Sequence, residues 1–171
     1  MSVKVIDAKL DAKKISKRQA VPFLSDLPLV GYVAETETDI ALLTHLQEGV
    51  REMGLSMIVF WKGGAKASFS IPEGITLVTP ADPHYASLWQ ACDMAFCMSE
   101  KAAKNAFEEM IVPIAFKKIP LVQNYDPNRE KGNAFTFEKI TPWLMFAALV
   151  RACETFRFPF DWRNIVKNRI A

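Results

Sequence analysis

The chain reads as an α/β fold of three layers, a parallel sheet with helices on both faces. Three observations predict it. Segments of strand and helix character alternate along the sequence, turn residues separate them, and the strand segments are apolar at nearly every position. Strands covered on both faces lose the in-and-out alternation, and parallel neighbours need a crossover, normally a helix. Half of the 171 residues are hydrophobic and 11% are aromatic, enough for a sizeable core, and the length suits one domain over residues 1–171.

Residues 1–26 form a lead-in, with a short strand from Val3 to Ile6 and a helix from Ala8 to Phe23. Pro28-Leu29-Val30-Gly31-Tyr32-Val33 is a buried strand bounded by turn residues. Thr36 and Asp39 make a capping-box pattern. Ile40, Leu43, Leu46, Val50 and Met53 then follow at helical spacing until Gly54 stops the helix. Ser56 to Trp61 is a second strand, closed by Gly63-Gly64, and Ile75 to Val78 is a third. Pro83 opens a helix through His84, Leu88 and Ala91. Met94 to Met98 reads as a strand, Lys101 to Ile111 as a helix, and Pro120-Leu121-Val122 as the next strand. Asn124 to Gly132 is a polar turn region, and Ala134 to Phe137 is a short edge strand. The C-terminal helices occupy 141–170. Thr141 caps and Pro142 starts a long helix to about Arg157, Pro159 breaks it, and Asp161 begins a last short one.

Composition narrows the function. A formal net charge of +2 is too small to argue for nucleic acid, and Lys4, Lys9, Lys13, Lys14, Lys17 and Arg18 read as a solvated helix face. Cys92, Cys97 and Cys153 are odd in number, lack C-x-x-C spacing and lie among apolar residues. Buried reduced thiols and a cytoplasmic location are expected. No signal core or membrane-length apolar run is present, so no membrane partner is expected. His45 falls on the less apolar side of its helix, and His84 at a helix start near Asp82 has no nucleophile beside it. Two histidines and scattered cysteines make no metal site, and no cofactor is expected. Trp143, Phe146, Phe156, Phe158, Phe160 and Trp162 read mainly as core.

Parallel sheets of this kind bind ligands outside the C-terminal strand ends. Any site should lie in the loops after Val33, Trp61, Val78, Met98 and Val122. Several stretches on those elements resemble one family. Pro28-Leu29-Val30-Gly31 is similar to a "P-L-x-G" strand, Ala91 to Ser99 to an "A-D-x-x-L-x-P-S" strand, and Ile119-Pro120-Leu121-Val122 to "G-T-x-P-V-V". Gly132-Asn133-Ala134-Phe135-Thr136-Phe137 is similar to a "GNGF-F" strand. Thr141 to Ala152 resembles a "P-aliphatic-L-AL-RAL" helix, and Phe160-Asp161-Trp162-Arg163 follows it. The ordered set resembles the C-terminal, nucleotide-sugar-binding domain of bacterial glycogen (starch) synthases. It implies a Rossmann-like GT-B domain that holds ADP- or UDP-glucose against a separate N-terminal domain.

The resemblance also implies chemistry that the residues lack. Retaining glucosyl transfer needs cations against the diphosphate as charge develops there. The family carries an arginine and a lysine just after the first strand, where this chain has Val33-Ala34-Glu35-Thr36-Glu37-Thr38-Asp39. The family also implies a glutamate soon after the "P-S" strand and a second acid or amide two helical turns on. Counted back from Pro120, these fall at Lys104 and Val112. The "T-G-G-L" loop is missing from a connection counted as short, Val122 to Gly132. No catalytic residue is assigned.

The positions left for a nucleotide sugar are Gly31, Lys62, Gly63, Gly64, Lys66, Glu108 and Glu109. Two glycines and two lysines after the second strand can admit a phosphate, although glycine pairs mark plain turns more often. The expected function is a stand-alone synthase-like domain without transferase activity of its own, an interaction module for a glycosyltransferase partner or for itself. The alternative is a nucleotide-sugar-binding subunit. An excised piece of a longer chain also fits the endpoints, Met1 and a terminal helix.

Overall fold

The computed structural model describes residues 8, 10–13, 15, 27–63 and 75–169. Of the lead-in, residues 8, 10–13 and 15 are helical, while the strand expected at 3–6 lies outside the described residues. The elements are β1 (Leu29–Ala34), α1 (Glu37–Glu52), β2 (Ser56–Trp61), β3 (Ile75–Val78), α2 (Tyr85–Ala91) and β4 (Met94–Cys97). Then come α3 (Glu100–Glu108), β5 (Val112–Phe116), β6 (Phe135–Phe137), α4 (Pro142–Phe156) and α5 (Pro159–Asn168). The strands form one six-stranded sheet in the order β3-β2-β1-β4-β5-β6. Every pairing is parallel.

Side chains alternate between two apolar layers. Val30, Tyr32, Met57, Val59, Met94, Phe96, Val112 and Ile114 face α1, α4 and α5. Leu29, Val33, Ile58, Phe60, Ala95 and Cys97 face α2 and α3. This two-sided burial is why the strands read as continuous apolar runs. Leu43 and Leu46 of α1 are each 1% exposed, and burial on that scale contributes about 1.5–3 kcal/mol per side chain. On the other face Ala102, Ala103 and Ala106 are buried, so their small side chains let α3 lie close to the sheet rather than merely favouring helix.

Two buried polar residues fasten strand ends. The Asp93 carboxylate accepts the Leu29 N–H at 2.8 Å, and Asp93 also exchanges backbone bonds with Leu29 and Val112. It thereby ties the starts of β1, β4 and β5. Asn133 accepts from the Gln123 N–H at 2.8 Å and donates to the Leu121 carbonyl at 3.1 Å, holding the loop beside β6. The outer edge of β6 is satisfied by side chains. Asn124 accepts the Thr136 N–H, and Arg151 donates to the Thr136 carbonyl at 2.7 Å. An edge blunted in this way offers no template to another strand.

One expected strand is misplaced. Pro120-Leu121-Val122 forms turns, with Ile119 N–H bonded to Phe116 O and Val122 N–H to Ile119 O. The strand is Val112–Phe116, seven residues earlier by its proline, Pro113. Proline inside a central strand argues against strand because a ladder bond is lost. Here Val112 donates toward β4 through the Asp93 carbonyl. Pro113 therefore faces the β6 side, where pairing begins only at Ile114 with Phe135. The missing N–H costs no bond. Smaller corrections follow. The helix expected from Lys101 to Ile111 runs Glu100–Glu108, capped by Ser99. Thr141 occupies the N-cap position of α4 without a side-chain bond, and α5 starts at Pro159 rather than Asp161. Among the described residues no helix is long and apolar enough to cross a membrane.

Candidate functional site

The strand order reverses between β1 and β4, so the switch point lies between the loops that leave their C-terminal ends. A small cavity of about 200 Å³ opens there, between Val33, Glu35, Thr36 and Asp39 on one side and Met98, Ser99 and Ala102 on the other. Small-molecule pockets usually have about 300–1,000 Å³.

The two helix N-termini that flank the switch point, those of α1 and α3, are capped by side chains, whereas those of α2 and α4 have no side-chain cap bond. At α1 the Asp39 carboxylate oxygen Oδ2 accepts the Glu35 N–H, the Thr36 N–H and the Thr36 hydroxyl, each at 2.9 Å. Thr36 Oγ1 accepts the Asp39 N–H in return, completing the capping box. The Tyr32 hydroxyl donates to the Asp39 carbonyl at 2.8 Å and braces the turn from below. At α3 the Ser99 hydroxyl accepts the Ala102 N–H at 3.2 Å. Donors of this kind are what a phosphate would use. At α1 a carboxylate already takes the two that precede the helix, those of Glu35 and Thr36.

The link from β4 to α3 is only Met98 and Ser99. Moving the family's proline to Pro113 shifts the two acid or amide positions from Lys104 and Val112 to Cys97 and Asn105. The first is now the last residue of β4 and fully buried, and the second lies inside α3. Burial pushes the Cys97 thiol up to about 12, with Lys62 opposing the shift. The Lys62 ammonium thus acts toward the end of β4, and its backbone N–H bonds to the Ala34 carbonyl at 2.8 Å.

The expected binding residues do not gather. Gly31 is mid-strand, where an added Cβ would lie 3.2 Å from Ala95 Cβ and from Cys92 Sγ, so its role in the fold is packing. Lys62 and Gly63 are at the exit of β2, where Gly63 backs onto the Trp61 indole. Gly64 and Lys66 lie outside the described residues. Glu108 and Glu109 end α3 at the opposite edge of the sheet, where Lys13 Nζ donates to the Glu109 carbonyl at 3.1 Å. A strand of β5's length separates the two edges by about 15 Å, so those acids cannot share a ligand with Lys62.

Relocating β5 adds residues that the sequence reading missed. The connection to β6 starts at Lys117, so the loop counted as shortened from Val122 is a longer one, still without "T-G-G-L". Lys117 and Lys118 leave the C-terminal end of β5. Lys117 bonds to Glu138 at 2.8 Å and holds that carboxyl below the usual carboxylate range, while Lys118 lies 5.8 Å from the centre of the Phe116 ring. His84 and Asp82 form a turn in which Asp82 accepts the His84 backbone N–H at 2.8 Å, not an imidazole proton. Among the described residues no cluster of His, Cys, Asp and Glu is suited to a metal ion.

No known family profile matches the chain. Its sequence is 24% identical to the glycogen synthase of Syntrophotalea carbinolica across 92% of this chain, and 24% identical to that of Geotalea daltonii across 93%. Glycogen synthase 1 of Synechocystis is 40% identical over 47 residues. The fold matches the catalytic domain of starch synthase IV from Arabidopsis thaliana, solved with ADP and acarbose, at a TM-score of 0.72 and 18% identity over 100% of this chain. It matches HepE of Anabaena, solved with UDP-glucose, at 0.65 and 12% identity over 92% of this chain. It also matches WaaG, a glycosyltransferase of lipopolysaccharide biosynthesis, at 0.60 and 11% identity over 90%. The chain spans 37% of the Syntrophotalea and Geotalea relatives, and 40%, 46% and 45% of the three solved chains. It is a glycogen synthase-like domain of the GT-B glycosyltransferase fold, with the length of only part of the proteins it resembles.

Proposed function

We propose that this domain corresponds to the C-terminal half of a glycogen synthase, has no transferase activity of its own and acts by binding a protein partner. The observation that carries the reading is Asp39, whose carboxylate takes the Glu35 and Thr36 N–H donors just before α1 and stands on the switch-point edge. A nucleoside diphosphate brought to that edge would also meet Glu35 and Glu37 on the same turn. One carboxylate about 4 Å from a phosphate charge costs about 1 kcal/mol in water and about 4 kcal/mol near a protein surface. A millimolar site is worth only about 4 kcal/mol. At the near-surface value two acids outweigh a weak diphosphate site, and with Lys117 committed to Glu138 the described cations left at that edge are Lys62 and Lys118.

The test is calorimetric titration with ADP, UDP, ADP-glucose and UDP-glucose, together with a glucosyl-transfer assay on a glycogen primer. The expected result is no saturable heat at several millimolar ligand and no transfer. A dissociation constant below about 1 mM for any of the four would favour the nucleotide-sugar-binding alternative, with Lys62 and Lys118 the cations at that edge. Transfer to the primer would overturn the proposal outright.

A further inference from the structure

A groove of about 710 Å³ runs along the outer side of α1 where α4 begins, from Thr38 to Glu52, with Trp143 and Phe146 as its second wall. Its floor is low for a stated reason. Gly49 has no side chain, and the Phe146 ring lies where a Cβ would project. Trp143 stands beside the groove and is 82% exposed, whereas Trp61 and Trp162 are 6% and 7% exposed. Ile140 and Leu144, 45% and 39% exposed, flank it. Three of the large exposed apolar residues thus fall within five positions of sequence, and one of them, Trp143, lines the groove. Clustering of that kind marks an association surface, where single exposed residues do not.

We infer that this face pairs with a second copy of the same chain, the Trp143 indole of each copy seated in the α1–α4 groove of the other. Two features of the patch select a copy of itself. First, a twofold interface must carry both the knob and the hole on one patch, and here an exposed indole and an apolar groove adjoin. Second, the charges complement. The ionised groups of the groove are Glu48 and Glu52, of which Glu52 is shared with Arg51 at 3.7 Å. The stretch that bears the indole carries Lys139 as its available cation, because Glu138 is held by Lys117. A nearly free indole brings about 200 Å², so the patch is at the small end of interface sizes, which suits a weak, reversible dimer with a dissociation constant of roughly 1–100 μM.

The pairing does not depend on the cleft being closed to nucleotides. A chain that bound UDP-glucose at the strand ends would still present this groove, so the two readings fail separately. The experiment is sedimentation equilibrium of the whole chain over a micromolar to millimolar series, with the tryptophan emission maximum followed in parallel and Trp143→Ser as the control that assigns the change to Trp143. The expected result is a mass rising from monomer toward dimer and a blue shift over the same range. Trp143→Ser should weaken association by about thirtyfold or more, as for a central anchor residue. Its thermal unfolding at low concentration should be unchanged, since the side chain is exposed. Lys139→Glu should weaken pairing, and Glu48→Lys added to it should restore part of the loss. A wild-type chain that stays monomeric to about 1 mM would overturn the inference. So would a Trp143→Ser chain that pairs as the wild type does, or a double variant with no recovery.

Discussion

Replacing Asp39 with alanine should destabilise the protein by about 1–2 kcal/mol and at the same time open an anion site. The Asp39 carboxylate oxygen accepts the Glu35 N–H, the Thr36 N–H and the Thr36 hydroxyl at 2.9 Å. Asp39 is the third helical residue and the N-cap Thr36 remains, so losing the reciprocal half of the capping box costs about 0.5–1.5 kcal/mol, and a carboxylate in the first turn adds about 0.3–1 kcal/mol through the helix dipole. Glu35 and Thr36 are exposed, so water takes over their donors and the loss stays at that level. It does not reach that of a buried orphan donor. For a chain of 171 residues each kcal/mol moves the melting temperature by about 2–4 °C. The expected drop is therefore roughly 2–8 °C by circular dichroism. The freed N–H groups sit at the positive end of a 16-residue helix. A 1 mM site for inorganic phosphate there would return about 1.4 kcal/mol at 10 mM. Phosphate should raise the melting temperature of Asp39→Ala above a chloride control and leave the wild type unmoved. Asp39→Asn, which keeps an acceptor and loses the charge, should fall between. The reasoning is refuted if Asp39→Ala melts with the wild type, or if phosphate or ADP stabilises the wild type as much as the variant.

Gly132 has φ +103°, and a Cβ there would run into the Asn124 carbonyl and Tyr125 Cα, which are backbone and cannot swing aside. Gly132→Ala should lose about 2–4 kcal/mol in urea unfolding. Asp93→Ala leaves the Leu29 N–H buried and without its carboxylate, for about 2–4 kcal/mol, and Asp93→Asn should lose less. Burial pushes the Cys97 and Cys153 thiols up to about 12 from an ordinary 9.0, so neither should react with a disulfide reagent at pH 8 until the chain unfolds. The unfolded thiols ionise first, so their contribution is complete below about pH 9 and declines as the pH climbs from there toward 12. Cys97→Ala should show a shallower decline.

The strands the sequence made legible were the mainly apolar ones with no internal proline. Ser56–Trp61 and Ile75–Val78 have the bounds the pattern predicts, and the Thr36–Asp39 capping box forms as its spacing requires. β5 was hidden because Pro113 broke the pattern, and only its neighbours explain why the proline is harmless. Val112 bonds to one side, and β6 has not yet begun on the other. That single shift moved the expected acid positions and exposed Lys117 and Lys118 at the strand ends. The candidate site was less legible for a related reason. Glu108 and Glu109 lie near Ser99 in sequence, but α3 runs antiparallel to β4 and carries them to the far edge of the sheet. The acids after β1 could be counted from sequence, but not that Asp39 folds back on its own turn.

That fold-back bears on what the domain does. A site that binds phosphate at a helix N-terminus must leave the donors there free in the unliganded protein, at a cost in helix stability. Such local violations of good capping are expected where a ligand completes the structure. The two helices that flank the switch point show the opposite, although α2 and α4 start at the same edge without a side-chain cap. α1 carries a complete capping box, and α3 is capped by Ser99. The link that would have to reach a donor sugar is two residues long. Each feature stabilises the empty domain and competes with a ligand. The exposed apolar surface lies on the outer side of α1 and α4, where an 82% exposed indole stands in the wall of a groove. On the proposed function, nucleotides should find the strand-end edge silent. The helical face with Trp143 is then where binding should be found.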